Sequence, residues 1–309
     1  MNELPLRIGV ARRKFIQRCR SDRLSHNTTS FYRRQIRYYW QWLHERRKVD
    51  RWLEVGVLRD YFSSLHKRVE KCEIQPESAD AAYRALRALC RWLLEQEEIA
   101  ANPFGKIKTP RLPDKEPRRV EIEDYKRLML SIRPDTWLDL RDRLIIVVLF
   151  WCGVRVDELI NIQLSDINTE KGFLLIRHGK GGDPRYVPLL PVVKFAFVEY
   201  IYQRPAVRTD YLFPAASGYG DALDRPVRDT GIRLMLRRRC SVAGIDFKNP
   251  HAFRHGIAMH LLNELGADMS FISELLGHKD EKTTRDFYAT WKIKGLAEKY
   301  AKLTKDSGI

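Results

Sequence analysis

The chain has 309 residues, 44% hydrophobic and 31% charged, which suits about two packed domains and excludes a disordered chain. Lys+Arg outnumber Asp+Glu 56 to 40, and this net charge of +16 favours a polyanionic partner over a neutral or acidic one. Five scattered cysteines (Cys19, Cys72, Cys90, Cys152, Cys240) form no CxxC pair, so neither a disulfide frame nor a zinc site is expected. The N-terminal MNELPLRIGVARRKF lacks the apolar core of a secretory leader. The longest apolar run, Leu144 to Val154, is too short to span a bilayer, so no membrane partner is expected.

Residues 10–100 read as helices. Ser25 to Ser30 offers N-cap oxygens ahead of FYRRQIRYYWQWLHERR, where Tyr32, Ile36, Tyr39, Trp40 and Leu43 share a face and Arg33, Arg34 and Arg37 lie mostly off it. A second helix is expected around Leu58, Phe62 and Leu65. A third begins near Ser78 or Asp80, buries Tyr83, Leu86, Cys90 and Leu93, and turns Arg84, Arg87 and Arg91 elsewhere. Asn102-Pro103 is expected to stop it. Two arginine stripes on one small helical domain suit phosphate contact; either stripe alone reads better as a solvated basic face. Residues 105–119, with three prolines, six basic residues and no apolar period, read as a linker. The domains are therefore expected at 1–104 and 120–309.

The second domain opens at Glu121-Ile-Glu-Asp-Tyr, a helix start with acids in its first turn. Asp142 to Leu159 reads as a buried helix, a turn at Gly153 and a new helix near Val154 to Asp157. Arg155 then sits at a helix N-terminus beside backbone N–H groups that favour an anion, and Glu158 is spaced to hold its guanidinium. FLLIRH, GKGGD and RYVPL read as strand, turn and strand, with Lys180 in the turn. Helices are expected at 191–203, 227–243, 251–265 and 269–276, with Gly266 and Gly277 closing the last two. Thr283 onward could start a further helix carrying Trp291, Leu296, Tyr300 and Leu303 on one face.

His251, Arg254, His255, His278 and Tyr288 place imidazoles, a guanidinium and a phenol in one C-terminal segment. A phosphodiester attacked by a protein nucleophile wants that set, because fixed cations and N–H donors stabilise the charge on the phosphoryl oxygens. The i, i+4 spacing of His251 and His255 does not make a zinc site: Ala252 follows His251 where HExxH has its glutamate, and no further ligand follows at a sensible distance. His255 and His260 read as core histidines.

With these motifs in hand, the chain resembles the tyrosine recombinase and integrase family. Its boxes appear in the family's order as Gly153-Val-Arg155-Val-Asp157-Glu158-Leu159, Gly179-Lys180-Gly181, His251-Ala-Phe-Arg254-His255, Leu276-Gly277-His278 and Tyr288. Asp157 stands where serine is common, and Tyr288 lies ten positions after His278 rather than nine. The resemblance implies a mainly α fold: an N-terminal helical, SAM-like core-binding domain, and a C-terminal catalytic domain of mixed helices with a small β-sheet. It implies Tyr288 as nucleophile, with Arg155, Lys180, His251, Arg254 and His278 as its catalytic partners and Glu158 and His255 behind them. It also implies no cofactor and no metal, double-stranded DNA with inverted-repeat arms as substrate, and a homotetramer on two sites that exchanges residues 291–309 between subunits. About ten residues before the first helix leave no room for an arm-binding domain, so a Xer-like simple-site recombinase, acting in the cytoplasm on nucleoid DNA, is expected. The alternatives are a type IB topoisomerase and a non-catalytic DNA-binding regulator.

Overall fold

The computed structural model describes residues 7–107, 118–177 and 184–277. It divides into two compact units, Met1–Lys115 and Glu116–Ile309. In the first, apolar residues recur at helical spacing and four helices result: α1 (Ile8–Ser21), α2 (His26–Glu45), α3 (Val55–Glu70) and α4 (Pro76–Glu95). The Ser25 hydroxyl accepts from the Thr28 N–H at 3.1 Å and caps α2 as its position implied. The core includes a cluster of aromatic side chains. Tyr39 stacks beside Trp42 and Tyr61, and its hydroxyl donates to the Trp52 carbonyl at 2.6 Å, which satisfies a polar atom that burial would otherwise penalise.

The helical reading of this region extends to Ile8–Ser21, which precedes the capped helix; its buried Ile8, Ala11, Phe15, Ile16 and Cys19 form a stripe among many arginines. Two expectations need correction here. The α4 helix begins at Pro76, where a fixed φ suits the first turn, and ends at Glu95, because Glu97 adopts a left-handed φ of 57°. Asn102-Pro103 therefore does not stop it but opens a short 3-10 turn, Pro103–Lys106. That turn belongs to the first unit: Phe104 packs on Phe62 and Tyr83, and Arg59 donates to the Lys106 carbonyl at 2.8 Å. Residues 118–120 in turn belong to the second unit, where the Val120 N–H donates to the Ala252 carbonyl. The rest of the predicted linker lies outside the described residues.

The second unit is built around α6 (Trp137–Trp151), whose residues Leu144 to Phe150 are all fully buried. A helix apolar on every side must be surrounded, and α6 is covered by α8 (Pro191–Gln203), α10 (Pro250–Asn263) and α7 (Val156–Ile160). The remaining helices are α5 (Ile122–Ser131), α9 (Asp229–Val242) and α11 (Met269–Leu276). Antiparallel β1 (Ile167–Asn168), β2 (Phe173–Ile176) and β3 (Arg185–Pro188) form a small sheet in which Ile176 faces Arg185; β4 (Pro214–Ala216) and β5 (Ala222–Pro226) form a separate hairpin. β1 and β4, with two and three residues, are too short to show a period of two, and β5 (ALDRP) buries no side chain fully, so the sequence did not announce them.

Two contacts fix α9 and α10 on this core. The fully buried Asp142 accepts from Arg239 at 2.7 Å and 2.9 Å, from Arg238 at 2.8 Å and from Arg141 at 3.2 Å, which ties α6 to α9. Gly256 lets α10 lie against the backbone of Val120, since a Cβ there would fall 2.2 Å from the Val120 carbonyl oxygen. Gly256→Ala gains helix propensity of about 1 kcal/mol but forces that backbone apart. We expect a net loss of about 1–3 kcal/mol in urea unfolding of the full chain. An unchanged or raised midpoint would show that the close approach costs nothing.

Candidate active site

The C-terminal end of α11 organises the site. The last carbonyls of any helix lack intrahelical donors and carry the negative end of its dipole, so they attract cations. Here three guanidinium groups meet three successive carbonyls. Arg185 Nε donates to Leu275 at 3.2 Å, Arg254 Nη2 to Leu276 at 2.6 Å and Arg155 Nη2 to Gly277 at 3.2 Å. Gly277 closes the helix in the left-handed conformation, φ 64°. A Cβ at that position would lie 2.9 Å from Arg185 Cδ, so glycine is required twice over. Gly153, also left-handed at φ 57°, makes the turn between α6 and α7, and a Cβ there would strike Leu276 Cδ2 at 2.6 Å. Its carbonyl accepts the other arm of Arg254 at 2.7 Å.

Glu158 binds the cluster from the opposite side. Its carboxylate is 3% exposed and accepts the Arg155 backbone N–H at 2.9 Å, Arg155 Nη1 at 2.8 Å, and Arg185 Nη1 and Nη2 at 2.9 Å and 2.8 Å. Burial pushes its pKa up, but Arg185 and then Arg155 outweigh that and hold it below the usual glutamate value. Two guanidiniums thus share one carboxylate. Arg155 is the N-cap of α7, the helix N-terminus where the sequence placed it; α7 has only five residues, and Glu158 takes the Arg155 N–H. The carboxylate orients the side chain as expected and leaves it 32% exposed. Asp157 faces solvent, away from this bonding.

Asn249 caps α10 by accepting the Ala252 N–H at 3.0 Å, which sets His251 in the first turn and Arg254 one turn later. Arg254 is 2% exposed and lies deeper than Arg155. His251 keeps an open edge to solvent and meets His255 edge-on, ring centroids 4.1 Å apart. Partial removal from water, then the charges of Arg254 and Arg155, lower its pKa below the ordinary histidine value. It is therefore neutral at pH 7 and able to accept a proton. His255 is half-buried behind it, and His260 stands edge-on to Trp151. The structure thus brings together Arg155, Glu158, His251, Arg254 and His255. Lys180, His278 and Tyr288, and residues 291–309, lie outside the described residues.

Sequence reasoning missed Arg185. Its partners are 27 and 90 residues away, and nothing local distinguishes it from any other strand arginine. In the first unit it missed part of a basic groove. Arg33, Arg34 and Arg37 of α2 line that groove together with Arg12, Arg13 and Arg20 of α1, and among the described residues none of the six is ion-paired. The apolar stripe of α1 would have shown the latter three. The α4 stripe differs: Arg84 pairs with Asp80 at 2.7 Å and Arg91 with Glu95 at 2.9 Å, while Arg87 is exposed.

Comparison with known proteins agrees with this geometry. Residues 118–292 match the model of the phage integrase family. The chain is 32% identical over 286 residues to tyrosine recombinase XerD of Proteus mirabilis, covering 90% of this chain and 88% of the relative. It is 30% identical over 236 residues to tyrosine recombinase XerC of Staphylococcus haemolyticus, covering 76% of each. Its fold is similar to that of the Tn1549 transposon integrase in complex with transposon right end DNA (TM-score 0.73, 18% identity, 96% of this chain and 100% of the other). It is also similar to that of the XerH site-specific recombinase bound to a palindromic difH substrate (TM-score 0.70, 19% identity, 94% and 83%). A preorganised cation site on a recombinase fold, within a chain related along most of its length to XerD, shows that this protein belongs to the phage integrase family and is a Xer-like tyrosine recombinase, an enzyme that breaks and rejoins DNA.

Proposed function

We propose that the chain carries out site-specific recombination through a covalent tyrosine intermediate formed at the Arg155–Arg254 site. The observation that carries this reading is that Arg155 and Arg254 meet the Gly277 and Leu276 carbonyls at the end of α11, with His251 within electrostatic reach of both arginines; His278 follows Gly277 in the sequence. Tyr288 Oη attacks the scissile phosphorus, the bond to the 5′ oxygen breaks, and a 3′-phosphotyrosine and a 5′-hydroxyl result. Neutral His251 takes the phenolic proton or bonds a phosphoryl oxygen. Lys180 protonates the leaving 5′ oxygen, and His278 donates to the phosphate. Arg155, braced but a third exposed, meets the non-bridging oxygens, with Arg254 beneath it. The phosphotyrosine conserves the bond energy, so a 5′-hydroxyl from another strand can reverse the step with no nucleotide or metal. Two such rounds through a Holliday junction exchange the duplexes.

The remaining assignments are proposed from charge and from the family resemblance. The groove of α1 and α2 grips the phosphate backbone of an inverted-repeat site. Four copies act on two such sites, with residues 291–309 passed to a neighbour, in the cytoplasm on nucleoid DNA. Integration, transposition and dimer resolution share this chemistry.

A duplex selected from a random pool by tight binding, nicked across its centre to trap cleavage, is expected to give a covalent adduct with the wild-type chain. Tyr288→Phe is expected to bind it and give none. An adduct persisting in Tyr288→Phe would remove Tyr288 as nucleophile. Arg13→Ala, Arg33→Ala and Arg37→Ala together are expected to flatten the dependence of log affinity on log salt by roughly 1 for each phosphate left without its arginine. Arg84→Ala with Arg91→Ala, already paired to carboxylates, is expected to flatten it less. Equal effects from the two sets would contradict the groove as the main phosphate-binding surface.

A further inference from the structure

We propose that Arg185 is a positioning residue for DNA cleavage: through Glu158 it fixes the Arg155 guanidinium, and through Leu275 it clamps the base of the β2–β3 hairpin to the end of α11. The inference rests on the reading that Tyr288 cleaves DNA at this site.

Arg185 opens β3, directly opposite Ile176 at the end of β2. Its side chain is 13% exposed. Nη1 and Nη2 grip both oxygens of Glu158, and Nε donates to the Leu275 carbonyl, so each nitrogen of the guanidinium already has a partner. A side chain so committed and so buried is not placed to meet a phosphate itself. It reaches the reacting atoms only through others, and it reaches three motifs at once. Glu158 holds Arg155 from the same carboxylate. The connection from β2 to β3 contains Lys180. Leu275 stands two residues before Gly277, whose carbonyl takes Arg155. Gly277 is itself shaped to this side chain, since a Cβ would collide with Arg185 Cδ and Nε. The guanidinium is thus the one group among the described residues that bonds Glu158 and the end of α11 from a third segment of chain. Only a planar fork can make this set of bonds. A lysine keeps the charge but offers a single nitrogen, which cannot span two carboxylate oxygens and a carbonyl together.

The test uses the full chain and the selected, nicked duplex, and reads three quantities for each variant: DNA affinity, rate of covalent adduct formation and thermal melting. Wild type and Tyr288→Phe are run beside Arg185→Lys, Arg185→Gln and Glu158→Gln. We expect Arg185→Lys to melt cooperatively and bind within about threefold of wild type, yet to form adduct about 10- to 100-fold more slowly, as a misplaced catalytic group does. Arg185→Gln is expected to be slower still. The double variant Arg185→Lys, Glu158→Gln is expected to be no more than about threefold slower than its slower parent, because both changes break one path. The proposal is overturned if Arg185→Lys forms adduct at the wild-type rate, if affinity and rate fall in the same proportion, if the two losses multiply, or if neither Arg185 variant folds, in which case the residue holds the fold instead. A wild-type chain that gives no adduct would refute the cleavage reading, a result distinct from any difference between variants.

Discussion

A helix that ends in the interior must place its last carbonyls somewhere, and α11 places three of them on arginines. That one constraint accounts for much of the second unit's design. Charge-assisted hydrogen bonds of this kind are worth about 1.5–3 kcal/mol each, and the dipole of α11 adds to them. The same bonds hold Arg155 and Arg254 at fixed positions before any DNA arrives. Removing the Arg155 and Arg185 guanidiniums from water would be costly without an anion, and Glu158 supplies it to both. The Arg155 guanidinium stays partly exposed, where a phosphodiester can meet its charge.

Glycine makes this arrangement possible at two points. Gly153 and Gly277 lie in the left-handed region, and each has a neighbouring side chain in the space a Cβ would fill. The turn that presents Arg155 and the helix end that receives it therefore close on one another without a side chain between them. Behind them α6 is buried on every side, and the Asp142 network locks α9 against it. A rigid core under the site suits a reaction in which positioning and fixed charge carry most of the rate.

Much of this was legible in the sequence because the signals were local. The Gly153 turn, the acidic start of α5 and the Gly277 cap each announce themselves within four residues, and each is present. The pairing of Glu158 with Arg155 was visible as a spacing of three. What escaped was non-local or short. Arg185 acquires its meaning only from partners on α7 and α11. The hairpin of β4 and β5 is stabilised by its place in the fold rather than by any alternation. The end of α4 was misplaced because a proline some way beyond it looked like the obvious stop, while the left-handed turn at Glu97 had no glycine to mark it.

The central claim is that the cations of the site are held in place by the protein before substrate binds. Guanidinium proton resonances of the free chain test it directly, because bonded N–H groups exchange and rotate slowly. In the wild-type chain without DNA, the Nη protons of Arg155, Arg185 and Arg254 should be resolved and slow. In Glu158→Gln those of Arg155 and Arg185 should average while those of Arg254, held by Gly153 and Leu276, stay slow. Averaged Arg155 and Arg185 signals in the free wild-type chain would contradict the account.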